Sequence, residues 1–424
     1  MSYSAQRIER LRGRLEEEGL GAMYLRNLSN ILWLSAFDGV FDGEAAHALF
    51  LSPRRCIVHT DLRYGLAMKK AASGTAIEVD LSDRSHAEWL AALLENEAAL
   101  ADALLGIEDD ITLAEYRKLQ SALAGIGTQL KETSKLPTPP VILSAAAQGA
   151  AESKDPRGGL AGSECLHSHE AFAAQLKETS KLVVNLRSVK DEEETRRLRL
   201  AQSITDAAFA HIVGFIQPGM SEREVQIELE DFMVRNGASS LAFPSIVASG
   251  ANGASPHAIA GETKLEAGCA LVLDFGARVL DYCSDMTRTV FIGAPSERMA
   301  AAYAAVRQAN EELEAFLKPG VTGVQAQALT ERILAERGFA GAMGHSLGQG
   351  VGIEFHEEPS LSKRNPEALV EGNVVTVEPG VYFADEFGIR IEDFGIITSD
   401  GFEVFTKSSH DMVIIEQRNA SATL

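Results

Sequence analysis

The chain has 424 residues, of which 46% are hydrophobic and 23% charged, the balance of an ordinary globular protein. This excludes a disordered, collagen-like or small disulfide-stapled chain, and the length predicts about two to three domains. With 39 basic and 60 acidic residues the net charge is −21. Because the sequence has no local basic stripe, we expect neither a nucleic-acid nor a membrane partner.

The cysteines and the apolar segments bear on the cellular location. Cys56, Cys165, Cys269 and Cys283 are scattered and show no CxxC or zinc-ribbon spacing, which is typical of free thiols in a reducing compartment. The opening segment is charged throughout, and no run of about 18 apolar residues occurs. We therefore expect a cytoplasmic protein.

The first 136 residues read as a smaller α/β domain. Helical patterns alternate with short strand-like runs, with helices predicted at 5–18 and 112–124 and strands at 21–26, 47–52 and 55–60. Thr112 is the expected N-cap of the second helix. The alternation predicts an α/β layer over residues 1–136.

Residues 137–184 differ in composition from the rest of the chain. The part 137–174 is rich in Ala, Gly, Ser and Pro, and it lies between two copies of QLKETSKL, at 129–136 and 175–182. Two copies do not make a solenoid. We expect 137–184 to be an insertion and linker, followed by the larger domain 185–424.

The first carboxylate pair lies in LVLDFGARVLDYCSDMTRTVFIG, residues 271–293. A hairpin centred on Val279–Leu280 would place Asp274 directly opposite Asp285, with Cβ atoms about 5 Å apart. Two carboxylates at that distance repel and need a proton or a cation between them. Their largely apolar neighbours argue against two solvated surface residues.

The second pair lies in NVVTVEPGVYFADEFGIRIEDFG, residues 373–395. A hairpin centred on Asp385 places Glu378 opposite Glu392, with Arg390 on the same face. Pro379–Gly380 is expected to end the first strand. Four acidic residues on two hairpins form an oxygen-rich site of the kind that holds two divalent ions.

Between the hairpins lies GHSLGQGVGIEFHEEP, residues 344–359. Its glycines predict a close backbone approach, which would let a ligand or a metal sit against the chain. His345 and His356 flank this run, and His257 in SGANGASPH is a third candidate site histidine. The other histidines near strands and helices, His59 and His86 among them, are interpreted as structural.

Taken together, these segments resemble the pita-bread metallopeptidases, which include Xaa-Pro aminopeptidases, prolidases, methionine aminopeptidases and the metal-free creatinases. The resemblance covers residues 185–415 through VKDEEE, FPSIVASGANGASPH, LVLDFGA, DYCSDMTRTVFIG, HSLGQGVGIEFHEEP, VVTVEPGVY and GIRIED, in that order. The first 130 residues, with TDLRY at 60–64, look like the creatinase-type N-terminal domain of the aminopeptidase and prolidase branch. The resemblance implies a pita-bread fold preceded by a smaller α/β domain.

The resemblance also implies roles for particular residues. The metal ligands fall on Asp274, Asp285, Glu378 and Glu392, while Arg390 braces these carboxylates and Glu378 moves a proton. His257, His345 and His356 would contact substrate or stabilise the reaction intermediate. The implied cofactors are two divalent ions, with Mn²⁺ favoured over Co²⁺ or Zn²⁺. The implied partners are short peptides with proline in the second position and a second copy of the chain in a homodimer.

The sequence departs from the family pattern at one metal ligand. The fifth ligand of the family is a histidine four residues after His345, and here that position is Gln349. An amide oxygen leaves the charge of the site unchanged, but imidazole is the better ligand for Zn²⁺, Co²⁺ or Fe²⁺. Two hard ions with one weak position, a single ion, or loss of peptidase chemistry all remain open.

Three functions follow from these alternatives. The leading hypothesis is a metal-dependent peptidase that hydrolyses the bond between an N-terminal residue and proline. A creatinase-like hydrolase of a small molecule on the same scaffold is the second. The third is a non-catalytic peptide-binding protein.

Overall fold

The computed structural model describes residues 2–96, 104–124, 176–179 and 181–416. The chain divides into two compact units, Met1–Val183 and Val184–Leu424. The predicted insertion 137–174 and the first QLKETSKL copy lie outside the described residues. Among the described helices, none combines the length and the apolar character needed to cross a membrane.

The first unit is built on a six-stranded mixed sheet. Its strands are β1 (Leu20–Leu25), β2 (His47–Leu51), β3 (Cys56–Thr60), β4 (Glu78–Asp80), β5 (Leu104–Ile107) and β6 (Leu176–Glu178), in the order β4-β3-β2-β1-β5-β6. Its helices are α1 (Tyr3–Glu17), α2 (Leu28–Ser35), α3 (Gly65–Ala72), α4 (His86–Asn96) and α5 (Leu113–Leu123). The predicted α/β layer is confirmed.

Two local features of this unit bear on the sequence predictions. Thr112 caps α5 as predicted, since its side chain accepts a hydrogen bond from the main-chain N–H of Glu115. The second QLKETSKL copy contributes β6, in which Leu176 pairs in parallel with Leu105 of β5. Leu176 is buried in the same core cluster as Trp89 of α4.

The second unit combines long helices with several small sheets. Its helices are α6 (Leu182–Ser188), whose first two residues precede the division, α7 (Glu192–Phe215), α8 (Glu222–Arg235), α9 (Glu297–Phe316) and α10 (Gly323–Glu336). Its strands are β7 (Ser240–Leu241), β8 (Ile246–Ser249), β9 (Cys269–Phe275), β10 (Ala277–Val279), β11 (Tyr282–Cys283), β12 (Met286–Ile292), β13 (Gly348–Gly350), β14 (Glu357–Leu361), β15 (Val374–Val377), β16 (Gly380–Phe383), β17 (Phe387–Arg390), β18 (Asp393–Ile397), β19 (Phe402–Val404) and β20 (Val413–Ile415). Ser221 with Glu224 forms a capping box at the start of α8.

The strands of this unit form four sheets. Their orders are β20-β12-β9-β8, β14-β13-β15-β18-β19, β11-β10-β7 and β16-β17. Apolar side chains of α7 and α8 are buried in one cluster with side chains of β9 and β12. The predicted carboxylates lie on or beside β9, β12, β15 and β18.

The register of the first hairpin differs from the prediction. Asp274 pairs with Thr287, and the chain turns at Leu280 and Asp281, with φ of 48° and 68°. Asp285 is therefore not directly opposite Asp274. A turn shifted by one residue moves the pairing by two, which keeps both carboxylates on the same face because side chains alternate with period 2.

The register of the second hairpin is confirmed. Gly380 pairs with Arg390 in β16–β17, and Val377 pairs with Asp393 in β15–β18. Both pairings centre on Asp385, whose φ is 61°. Glu378 and Glu392 therefore face each other in the short gap between the two ladders, as predicted.

Candidate metal centre

The predicted site residues come together around one cavity of about 500 Å³ in the second unit. All of the residues singled out in the sequence line it, namely His257, Asp274, Asp285, His345, Gln349, His356, Glu378, Arg390 and Glu392. Phe243, Ile246, Ile259 and Phe355 add apolar wall to the same cavity. A concave, partly apolar pocket with convergent polar groups is the usual form of a small-ligand site.

Three carboxylates form the centre of the site. Asp274, Asp285 and Glu392 each bring one oxygen into a group whose members all lie within 4.8 Å of one another. Asp274 is the second-last residue of β9, Asp285 directly precedes β12, and Glu392 lies between β17 and β18. The two hairpins meet here because Thr287 and Glu392 form an isolated antiparallel bridge.

Arg390 and Thr287 fix the orientation of these carboxylates. Arg390 donates from Nη2 to Asp274 Oδ2 over 2.6 Å and from Nε to Thr287 Oγ1 over 3.0 Å. Thr287 Oγ1 in turn donates to Glu392 Oε2 over 2.6 Å. Arg390 thus contacts one of the carboxylates that it was predicted to brace, and Thr287, which the sequence did not single out, connects Arg390 to a second one.

A chain of hydrogen bonds extends from Asp274 to His345. Arg390 Nη1 donates to the Tyr382 hydroxyl over 2.7 Å, and that hydroxyl lies 2.8 Å from His345 Nε2. His345 Nδ1 lies 2.7 Å from the carbonyl of Ser346, which can only accept, so Nδ1 carries the proton and Nε2 accepts from Tyr382. Tyr382 was missed from the sequence, although the GVY of the quoted VVTVEPGVY contains it.

The pKa shifts follow from this geometry. Burial, with the charges of Asp274 and Glu378, raises the pKa of Asp285 well above its usual range. Burial and the nearby carboxylates do the same to the pKa of Glu392, and burial raises the pKa of Glu378 to about 8. Burial also lowers the pKa of His345 to about 4, which agrees with its neutral hydrogen-bonding pattern.

Gln349 lies at the edge of the carboxylate group. Its Nε2 donates to Asp285 Oδ2 over 3.2 Å, and its main-chain N–H donates to Thr376 Oγ1 over 3.1 Å. Thr376 Oγ1 also donates to Glu378 Oε1 over 3.3 Å. The side chain of Gln349, the residue that stands at the expected histidine position in the sequence, therefore contacts one of the three carboxylates.

Three glycines of residues 344–359 lie in close contact with other parts of the protein. A Cβ on Gly348 would lie 2.2 Å from the carbonyl oxygen of Thr376, and one on Gly350 would lie 2.5 Å from that of Glu358. A Cβ on Gly352 would meet the Glu357 carboxylate. At these three positions the close approach is made by neighbouring strands and side chains of the protein, whereas a Cβ on Gly344 would meet no atom within 4 Å. That a ligand or metal lies against this run stays a prediction.

The donor set fits a divalent cation. Within the described part of the chain, Asp274 Oδ1 is buried and has no hydrogen-bond partner. Buried polar atoms are nearly always satisfied, so an acceptor oxygen of this kind beside two further carboxylates is suited to a cation. Hard oxygen ligands are typical of Mn²⁺ and Mg²⁺ sites.

Both parts of this chain are similar to known proteins. Residues 196–399 match the family model of metallopeptidase family M24, and residues 7–136 match that of the creatinase/prolidase N-terminal domain. An uncharacterized peptidase of Bacillus subtilis is 43% identical over 242 residues, which are 57% of this chain and 69% of that protein. A Xaa-Pro dipeptidase of Pyrococcus horikoshii is 36% identical over 58% of this chain and 70% of its own length.

Solved structures show the same architecture over nearly the whole chain. A Xaa-Pro dipeptidase from Bacillus anthracis superposes with a TM-score of 0.78 at 35% identity, covering 97% of this chain and 99% of that one. An X-Pro aminopeptidase from Thermotoga maritima gives a TM-score of 0.75 at 29% identity, covering 96% and 99%. Sequence, fold and carboxylate geometry agree, and the chain belongs to metallopeptidase family M24, with a creatinase/prolidase-type N-terminal domain ahead of a pita-bread domain.

Proposed function

We propose that this chain is a Xaa-Pro peptidase, which hydrolyses the bond between an N-terminal residue and proline in dipeptides or short peptides. The observation that carries the proposal is the group formed by Asp274, Asp285 and Glu392, with one buried, unpartnered oxygen, at the wall of a cavity of about 500 Å³. The relatives named as Xaa-Pro dipeptidases support the choice of substrate.

The implied metal ligands are Asp274, Asp285, Glu378 and Glu392, with Gln349 in the fifth position. Two divalent ions held by these residues would supply Lewis-acid activation of a water molecule. The donors are oxygens throughout, which favours Mn²⁺ over Co²⁺ or Zn²⁺. Because Gln349 offers a neutral amide oxygen in place of an imidazole, one of the two ions is held more weakly. Four carboxylate charges balance two such ions.

The protein groups divide the remaining tasks. Glu378 takes up the proton of the attacking water on a carboxylate oxygen and delivers it to the departing proline nitrogen. His356, exposed at the cavity, stabilises the negative charge that develops on the carbonyl oxygen. His257 and His345 shape the pocket on the proline side. Arg390 holds Asp274 through its 2.6 Å ion pair.

A homodimer and a cytoplasmic location complete the proposal. The likeness of residues 7–136 to the creatinase/prolidase N-terminal domain supports the dimer, which light scattering at micromolar concentration would test. The cysteines that the structure describes, Cys56, Cys269 and Cys283, are free thiols, which supports a reducing compartment.

The deciding experiment combines metal analysis with turnover. Chelator-treated protein is reconstituted with Mn²⁺, Co²⁺ or Zn²⁺ and assayed with Ala-Pro, Gly-Pro and a longer Xaa-Pro peptide. We expect Mn²⁺-dependent hydrolysis, and we expect Asp285→Ala to lose both metal and activity. Asp400→Ala, which removes an exposed carboxylate outside the site, is the control that keeps both.

Each other outcome points to a different function. Metal binding without hydrolysis, together with calorimetric binding of Ala-Pro, would favour a non-catalytic peptide-binding protein. Hydrolysis of creatine-like small molecules with no activity on peptides would favour a creatinase-like enzyme. Unchanged metal content in Asp285→Ala would refute the ligand assignment itself.

A further inference from the structure

A second buried carboxylate, outside the metal centre, has an unusual number of hydrogen-bond donors. Glu222, the first residue of α8, is fully buried. Its Oε1 accepts from the main-chain N–H and the hydroxyl of Ser249, over 2.7 and 2.9 Å. Its Oε2 accepts from Asn252 Nδ2 over 2.9 Å and from the main-chain N–H of Gly261 over 3.1 Å. Four donors and a helix N-terminus together compensate the buried charge.

All four donors belong to one loop, residues 249–261, which we call the His257 loop. Ser249 ends β8, Asn252 begins the short 3₁₀ turn Asn252–Ala254, and Gly261 is where the chain returns to the start of α8. Both ends of the loop are thus attached to the same carboxylate. A main-chain hydrogen bond also joins the loop to α8 there, since the N–H of Arg223 donates to the carbonyl of Gly261 over 3.0 Å.

The tip of the loop reaches the cavity of the metal centre. Pro256, His257 and Ile259 line that cavity. On this side the loop meets β17: Arg390 Nη1 lies 3.4 Å from the carbonyl oxygen of Pro256. A Cβ on Gly388 would lie 1.9 Å from the carbonyl oxygen of Gly253, so the two main chains are in direct contact. The loop therefore lies between Glu222 on one side and the strand of Arg390 on the other.

We propose that Glu222 is a positioning residue, whose carboxylate fixes both ends of the His257 loop and so holds His257 at the wall of the substrate cavity. Glu222 does not line that cavity, so it acts through the loop and not on the substrate. This rests on the proposed function for the part played by His257. The attachment of the loop can be tested without any substrate.

The informative substitution is Glu222→Gln, because it preserves the shape of the side chain but keeps only one of its two acceptor oxygens. A carboxylate offers two acceptor oxygens, whereas an amide offers one and turns two donors towards whatever faces it. Either Ser249 or the Asn252 and Gly261 pair then loses its acceptor. Asp231→Asn on the same helix is the matched control, since it also removes one negative charge and its partner is the solvent-exposed Arg235.

The first measurement is hydrogen exchange of the full-length protein, followed by mass spectrometry on peptides that cover residues 249–261. In Glu222→Gln we expect these amides to exchange about tenfold faster, the factor expected when a hydrogen bond to a charged group is lost. Peptides from β9 and β12 should exchange at the wild-type rate, and Asp231→Asn should match wild type throughout. Uniform acceleration over the whole second unit, or no acceleration in the loop, would overturn the proposal.

The second measurement separates positioning from a general structural effect. With the Mn²⁺-loaded enzyme and Ala-Pro, we expect Glu222→Gln to raise KM about tenfold with a smaller change in kcat and unchanged metal content. In a His257→Ala background the same substitution should have no further effect on KM, because the two residues act as one unit. Additive effects would refute action through His257. If the wild type hydrolyses no Xaa-Pro peptide, the proposed function fails while hydrogen exchange still decides the role of Glu222.

Discussion

Thr287 and Glu392 are joined through both their main chains and their side chains. The N–H of Glu392 donates to the carbonyl of Thr287 over 3.0 Å, and Thr287 Oγ1 donates to Glu392 Oε2 over 2.6 Å. Thr287 is also the residue directly opposite Asp274 in the β9–β12 ladder. One threonine thus connects the carboxylates of two hairpins that are more than a hundred residues apart in the chain.

We expect Thr287→Val to weaken metal binding. Valine keeps the shape and the main-chain bridge, but it removes the donor to Glu392 and the acceptor of Arg390. Loss of a hydrogen-bond partner of a metal ligand lowers affinity about 10- to 100-fold. The measurement is a Mn²⁺ titration by calorimetry. Thr330→Val, which removes a buried hydroxyl bonded within α10, is the control that should leave the affinity unchanged.

The features of this site that depend on neighbouring residues in the sequence could be predicted better than those that join distant segments. The centre of the second hairpin was found correctly from its pattern, and Asp385 does take the positive φ of the turn. The first hairpin turns on Leu280 and Asp281, both at positive φ, where Asn-Gly or Asp-Gly would be the usual signal. The predicted partner of Asp274 is therefore two residues away from the observed one, Thr287. A shift of two residues keeps Asp274 and Asp285 on the same face of the sheet, so the predicted site was not affected.

The contacts between the hairpins could not be predicted from local patterns. The Thr287–Glu392 bridge and the path from Arg390 through Tyr382 to His345 join segments distant in sequence. A threonine or tyrosine in a strand has no periodicity that distinguishes a bracing hydroxyl from an ordinary one. The contacts of Gly348, Gly350 and Gly352 are a related case, because the sequence shows that space is needed but not which atoms fill it.

Arg288 should contribute strongly to stability. It is 1% exposed, donates from Nη2 to Asp393 Oδ1 over 2.6 Å, and donates from Nη1 to the carbonyl of Glu392 over 2.6 Å. Arg288→Met would leave the buried Asp393 carboxylate with only His410, whose Nε2 lies 2.6 Å from Asp393 Oδ2. Removal of one partner of a buried pair costs about 3–5 kcal/mol. We expect the free energy of unfolding in urea to fall by that amount.

The matched control for Arg288 is an exposed ion pair. Lys363, 69% exposed, lies 2.8 Å from Glu331. Lys363→Met should change the free energy of unfolding by less than about 1 kcal/mol, because solvent screens the pair. Equal effects of the two substitutions would show that burial of the Arg288–Asp393 pair does not govern its contribution.

The stability of the first unit should depend on pH through His59 and His86. Their Nδ1 atoms lie 2.7 Å apart, so only one can carry a proton, and His59 Nε2 lies 3.1 Å from the carbonyl of Ser82. Burial lowers the pKa of His86 to about 3 and also lowers the pKa of His59. Because both folded-state pKa values lie below the unfolded value near 6.5, the unfolded chain binds protons first as the pH falls. This stabilisation is fully present above about pH 6.5 and is lost towards pH 3.

The measurement is urea unfolding of wild type and His86→Gln between pH 7.5 and 4.5. Glutamine can still donate to His59 Nδ1 but does not titrate, so we expect a smaller loss of stability over this range. A slope in His86→Gln that equals the wild-type slope would contradict the assignment.

The last prediction concerns Gln349, whose Nε2 donates to Asp285 Oδ2 over 3.2 Å. In this orientation the amide turns its donor towards the carboxylates, and it can ligate a cation only through its oxygen. Imidazole is the stronger ligand for borderline metals, and either side chain leaves the charge of the site the same. We therefore expect Gln349→His to bind Zn²⁺ and Co²⁺ at least about tenfold more tightly, with a smaller gain for Mn²⁺.

The strands around Gln349 should hold its main chain in the same position when histidine replaces glutamine. Gly348 and Gly350, on either side of it, are paired with β14, so a new side chain at 349 starts from the same position. The test is a titration of wild type, Gln349→His and Gln349→Ala with Zn²⁺, Co²⁺ and Mn²⁺, followed by Ala-Pro hydrolysis. If histidine binds Zn²⁺ no better than alanine does, position 349 does not face the metal and the ligand assignment is wrong there. If it binds better and hydrolysis also rises, the amide is what limits the natural enzyme.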